Sequence, residues 1–339
     1  MHNIKAGAAR EAQTDILHTL CALGALSSFY YGMRPIVLCI IGALVCFTAD
    51  SLFLRLCRKR REHGDLSAVI TGLLLAMMMP ASVPYYILII SCLTGIIIGK
   101  QAFGGNEGQI FNPAAVGYVF AAISWSSAMH SYPEPYSKLP LAGKSLYELT
   151  SSLSLTFNTR GAPSVIDLDT LLGNPAGPLG ATQIIAVSAC AIVLILRRSV
   201  SFLTFGGYIG TYGVISYIFP SILNDTGRLN SVGFELITNM LIFGGIFIAA
   251  DLRSVPTGKA ERLIFGILTG LLTLVFRRVG DVENGVVYAS LLAAPFSALM
   301  EDYYKRSRTA LLNGFIFLRE KISVLMKKIK PDGGERGEG

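Results

Sequence analysis

About ten apolar runs, each approaching the ~20 residues that cross a bilayer as a helix, constrain this chain more than any other feature. They lie roughly at 14–31, 35–55, 66–80, 84–103, 111–128, 181–196, 199–219, 233–250, 261–276 and 284–300. With 52% hydrophobic and 15% charged residues, a chain of 339 residues does not make an ordinary soluble globule. The expected fold class is all-α, a polytopic membrane protein. Its Lys and Arg residues orient it, because cytoplasmic loops collect positive charge. A cytoplasmic amino terminus gathers Lys5, Arg10, the cluster from Arg55 to Arg61, Lys100, Arg197, Arg198, Arg253, Lys259, Arg262 and the basic tail on one side. Arg34, Lys138, Lys144, Arg160, Arg228, Arg277 and Arg278 remain on the other. Both termini are then cytoplasmic, and the net charge of +7 is absorbed by topology and lipid contact, with no nucleic-acid partner.

Two stretches share one plan. Gly72 stands twelve residues before Pro84 in Ser82-Val83-Pro84, and Gly244 twelve before Pro256 in Ser254-Val255-Pro256. Leu93-Thr94-Gly95 and Leu268-Thr269-Gly270 follow in turn. Coincidence among Gly-rich apolar segments is the plain alternative to duplication. On duplication, each unit carries five spans, an odd number, so the second is inverted and a site forms near the midplane. Each Ser-Val-Pro turn then ends a broken helix, whose freed backbone needs protein or a lined cavity to satisfy it. The expected divisions are 1–13 as a cytoplasmic start, 14–128 as the first repeat, 129–180 as an external loop, 181–303 as the second repeat and 304–339 as a basic amphipathic tail. Gly206-x-x-x-Gly210 and Gly266-x-x-x-Gly270 read as close helix packing.

Chemistry is expected where polar residues interrupt these runs. Asp50 lies at a depth where an acid is costly, either as a functional group or paired with an Arg of the cluster. Asp65 opens the first broken helix and serves there as a cap or as an ion ligand. Asp251 follows the second, at a helix C-terminus that disfavours negative charge, which marks it as a cation or cofactor contact. Gly104 and Gly105 permit a tight loop before Asn112-Pro113, a corner that either starts a helix or admits a flat ligand. After Gly180 and Ala181, Thr182 falls in the first turn of the sixth span, as an N-cap or at a phosphate-binding terminus. The six cysteines show no C-x-x-C spacing, and no P-loop or H-E-x-x-H motif is present, which argues against metal clusters, hydrolysis and ATP-driven transport.

The runs DLSAVITGLLLAMMMPASVP, GKQAFGGNEGQIFNPAAVG, GNPAGPLGATQ and FGGIFIAADLRSVPTGKAERLIFGILTG, in this order, resemble the RnfD family of the Rnf complex, the ion-translocating ferredoxin:NAD oxidoreductase. NqrB of the sodium-pumping NADH:quinone oxidoreductase is its sister family. The resemblance implies a redox subunit, not catalytic alone, in the prokaryotic cytoplasmic membrane, relaying electrons coupled to Na⁺ or H⁺ movement. It implies FMN on Thr182 through a phosphoester added by a flavin transferase, with Gly180 and Ala181 shaping the turn. It further implies a noncovalent riboflavin near Gly104, Gly105, Asn112 and the broken helices. The implied partners are the other components of the complex, including RnfG with its own covalent FMN. Ala176 and Leu179 depart from the transferase motif, which usually has an acid and a Ser or Thr there. The contrasting readings are a non-redox channel or secondary transporter, and a diverged relative in another flavin-based export of electrons.

Overall fold

Helices form where the apolar runs stand, but with bounds set by proline, glycine and polar caps. The computed structural model describes residues 2–58, 64–106, 108–136, 139–141, 149–150, 176–220, 227–238, 240–280, 282–297 and 299–300. The basic tail at 304–339 and most of the loop at 129–180 lie outside the described residues. Helix α1 (His2–Tyr31) already begins within the expected cytoplasmic start and runs unbroken to a Gly32 turn. Then follow α2 (Arg34–Leu56), α3 (Ser67–Met78), α4 (Tyr85–Thr94) and α5 (Pro113–Ser124). Helix α4 runs on as a π turn at Gly95–Lys100 and a 3₁₀ turn at Gln101–Phe103. A two-residue antiparallel ribbon pairs Tyr132–Pro133 with Leu149–Thr150.

The second half holds α6 (Ile184–Leu196), α7 (Phe202–Ile218), α8 (Arg228–Ile237), α9 (Leu241–Gly244, continuing as a π turn at Gly245–Ala249), α10 (Lys259–Arg278) and α11 (Gly285–Ser297). The run expected at 233–250 is not one helix. It is bent by 64° between α8 and α9, where Met240 takes a left-handed φ of 54°. Among the described residues, Arg34–Leu56 and Tyr85–Phe103 are long and apolar enough to cross a membrane unaided. Helices α3, α5, α6 and α11 are apolar but shorter.

Hydrogen bonds define the two ends of the bundle. At one, Gln13 Oε1 accepts from the Leu66 amide, Asp15 pairs with Arg197 and accepts from Ser199, and the Ser201 amide reaches Ala250 O. At the other, the Tyr136 amide donates to Tyr30 O, and Arg34 donates to Ser82 O, Val83 O and Pro140 O. The first Ser-Val-Pro turn thus lies at the second of these ends, while the other follows Ala250 and Asp251, which the Ser201 amide and a cavity shared with Gln13 and Ser67 hold at the first. Backbones touch where glycines allow: Gly42 against Gly72 joins α2 to α3, and Gly266 and Gly270 of α10 pack against Thr204 and Tyr208 of α7. The partner on α7 is Gly207, which packs on Leu263, whereas a Cβ at Gly206 or Gly210 would meet nothing within 4 Å among the described residues. The expected packing role of that first glycine row is thus displaced by one residue around the helix.

Candidate functional site

The stretch before Thr182 does not stay outside the bundle. Helix α3 ends at Met78, and its cap Met79 is extended before Pro80, so the last carbonyls need donors. The Gly180 amide donates to Met77 O at 2.7 Å and the Leu179 amide to Met79 O at 3.1 Å. A Cβ at Gly180 would fall 2.7 Å from the Phe243 ring of α9 and 3.0 Å from Met77 Cβ. The turn is therefore wedged between the two broken helices. Ser27 Oγ of α1 donates to Leu179 O at 3.1 Å and accepts from Gln183 Nε2 at 2.9 Å.

Helix α6 starts at Ile184 with Gln183 as its cap. Thr182 thus precedes the helix instead of lying in its first turn, because the Ala181 amide closes a turn onto Pro178 O and the Ile184 amide bonds Thr182 O. Thr182 is 6% exposed, and its Oγ1 is buried with no hydrogen-bond partner among the described residues. A buried hydroxyl without a partner costs free energy unless something else uses the oxygen. An ester there removes the unmet donor, so this residue fits a covalently attached group.

A second constellation lies at the opposite end. Asp50, 0% exposed, pairs among the described residues with Lys100 and not with Arg55 or Arg58; its Oδ1 lies 3.0 Å from Lys100 Nζ and accepts from Gln101 Nε2 at 2.6 Å. Lys100 also reaches Ser67 Oγ at 2.8 Å and Asp65 Oδ2 at 3.7 Å. Asp65 Oδ1 accepts from the Ser67 amide at 3.0 Å, while its Oδ2 accepts from Asn106 Nδ2 at 2.8 Å. Burial alone would raise the Asp65 carboxyl, but the bonds from Asn106 and Ser67 and the Lys100 charge prevail and hold it at about 2. Gly104 and Gly105, at φ of 100° and 80°, fold the end of α4 back so that the Gly105 amide bonds Lys100 O and Asn106 meets Asp65. Their role in the described geometry is to close this charge network.

The third constellation joins the halves. Asn112 caps α5 by accepting from the Ala114 amide at 3.0 Å and donates to Asp251 Oδ2 at 3.2 Å. Asp251 Oδ1 accepts from the Arg253 amide at 3.3 Å. Burial pushes its carboxyl up, against the opposing pull of the Arg253 charge and amide. Beside this contact lies a cavity of about 170 Å³, walled in part by Ser67, Thr71, Asn112, Phe247, Asp251 and Arg253. Gly104 and Gly105 are not among its walls.

Sequence reasoning missed Lys100, which it counted among loop cations, although Lys100 is only 2% exposed. The available signal was its place directly after an apolar run with Asp50 as an unmatched buried acid. Also missed was a network at the far end of α7, α8 and α10. There Glu235 accepts from Ser216 Oγ at 2.7 Å and faces Arg278, while Arg277 holds Thr238 and Tyr212.

Interrupted helices with polar groups held at depth, and helices apolar enough to span a bilayer, define a helical integral membrane protein. The particular family follows from comparison: the model of the NQR2, RnfD, RnfE family matches residues 2–310, and the chain belongs to that family. It is 29% identical to the D-type subunit of the ion-translocating oxidoreductase complex of Actinobacillus succinogenes, over 84% of this chain and 89% of that one. It is 28% identical to the D-type subunit of the Na(+)-translocating ferredoxin:NAD(+) oxidoreductase complex of Acetobacterium woodii, over 86% and 88%. To its counterpart in the proton-translocating ferredoxin:NAD(+) oxidoreductase complex of Clostridium ljungdahlii it is 26% identical, over 86% and 90%.

Proposed function

We propose that this chain is the membrane flavoprotein subunit of an Rnf-type ion-translocating ferredoxin:NAD oxidoreductase, relaying electrons through FMN esterified to Thr182. The observation that carries the reading is the buried Thr182 Oγ1 without a hydrogen-bond partner among the described residues, set in a turn pinned to both broken helices. FMN supplies the one- and two-electron chemistry, while this chain supplies position and surroundings. Gly180 lets the turn approach Met77 and Phe243, Ala181 closes it onto Pro178, and Gln183 ties it to α1 through Ser27.

The cavity between Asn112 and Asp251 is the place for a second, noncovalent flavin, riboflavin; its mixed polar and apolar walls suit a flat ring with polar edges. Asp50 and Asp65 are the candidates for the coupled ion, and Asp251 for the ion or the second cofactor. The wider architecture in this reading is two inverted five-helix repeats with about ten spans and both termini in the cytoplasm. The opposite ends taken by the two Ser-Val-Pro turns support it. The Thr182 turn then lies toward the outer face of a prokaryotic cytoplasmic membrane, and a flavin transferase loads it before the turn packs into the bundle. The chain works with the other components of the complex, RnfG among them, and is not catalytic alone.

The test is the full chain expressed with its transferase and run on a denaturing gel. A yellow fluorescent band in wild type that is absent from Thr182→Val, with FMN mass on the peptide spanning 161–197, is the expected result. Wild-type protein without flavin mass overturns the reading.

A further inference from the structure

We propose that the Lys100 ammonium is a tethered cation standing where a free alkali cation binds, and that the two compete for Asp50. This rests on reading the acids at the Asp65 end as ion ligands, and it adds the residue that governs their occupancy. Asp50 is 0% exposed on α2, and a bare carboxylate at such depth is prohibitive, so the group must either carry a proton or keep a positive charge beside it. Lys100 Nζ supplies that charge at 3.0 Å from Oδ1, and Gln101 Nε2 shares the same oxygen at 2.6 Å. The other oxygen, Oδ2, is buried and has no hydrogen-bond partner among the described residues. An ionised oxygen with open lone pairs is what a small hard cation coordinates.

The arrangement permits exchange without loss of compensation. A cation can settle on Oδ2 before the ammonium leaves Oδ1, so the carboxylate is never exposed alone to a low-dielectric interior. The released ammonium has a second place to go, because Ser67 Oγ lies 2.8 Å and Asp65 Oδ2 3.7 Å from it. Ser67 also walls the cavity beside Asp251, which gives the free cation an approach. Lys100 closes a π turn, Gly95–Lys100, a form that recurs at functional sites. Rewinding that turn to an α-helix by one residue would swing Lys100 about 100° around the axis, away from Asp50.

The experiment is thermal unfolding of the full chain, purified in detergent, in sodium chloride against choline chloride at equal ionic strength. A tethered competitor acts at high effective concentration, so Lys100→Ala is expected to bind sodium roughly tenfold or more tighter than wild type. Its melting temperature should climb with sodium and not with choline, and Asp50→Asn in the same chain should abolish the difference. A Lys100→Ala protein indifferent to sodium, or a sodium response that survives Asp50→Asn, overturns the proposal. Should Lys100→Ala be unrecoverable in either salt, wild type and Asp50→Asn decide. The weak wild-type response at molar sodium must then vanish in Asp50→Asn, and its persistence, or its absence from wild type, is equally fatal. Covalent flavin is read on the same samples, so loss of cation response and loss of the flavin assignment are scored separately.

Discussion

Gly180 shows how much of this protein is decided at single residues. Its α-carbon lies where any side chain would strike the Phe243 ring and Met77. Gly180→Val is therefore expected to destabilise the protein by roughly 1–3 kcal/mol through overpacking. It should also lower flavin loading, because the same displacement moves Thr182. In-gel flavin fluorescence and thermal unfolding measure the two effects on one preparation. Thr182 itself was legible as a residue of interest from GNPAGPLGATQ, but its place ahead of the helix was not. That place depends on the Ala181 amide choosing Pro178 O, a local bond the residue types do not dictate. Asp50 was legible by depth alone. Its partner was not, because Lys100 follows Gly99 at the end of an apolar run and reads as a surface cation. Only the π turn carries it inward.

At the scale of elements, α5 depends on Asn112 twice, as the cap of its first turn and as the donor to Asp251. Two substitutions separate these tasks. Asn112→Ala removes both and is expected to cost about 0.5–2 kcal/mol from the cap alone. Asn112→Asp keeps an acceptor for the Ala114 amide but sets a second acid against Asp251. The Asp251 carboxyl already lies above the ordinary range, so its folded form holds a proton more readily than the unfolded chain does. Stability from that group is present at low pH and falls as pH rises through the raised value. Asn112→Asp should widen that fall, which thermal unfolding between pH 4 and pH 8 will read as a steeper loss than in wild type. Most apolar runs marked a helix correctly, yet several ends moved. Helix α1 extends back to His2, and the run at 233–250 divides at Met240. Hydropathy locates burial; it does not register a left-handed residue inside an apolar run.

For the molecule as a whole, the two halves of the chain are stitched at depth, by Gly180 on Met77 O and by Asn112 on Asp251. The likeness of the two Ser-Val-Pro stretches was visible in the sequence. The stitching was not visible, because it joins residues about a hundred or more positions apart whose types are unremarkable. One consequence concerns the order of synthesis. Helix α3 is made with its last carbonyls unanswered, and their donors do not exist until residues 179 and 180 have been synthesised. Until then the amino-terminal half is provisional, a draft that the nascent chain completes late. A fragment ending at residue 128 should accordingly be cleared by membrane proteases within a pulse-chase, and co-expressing 129–339 should lengthen its lifetime. Equal lifetimes with and without the second piece would mean that water or lipid headgroups can serve as the missing donors.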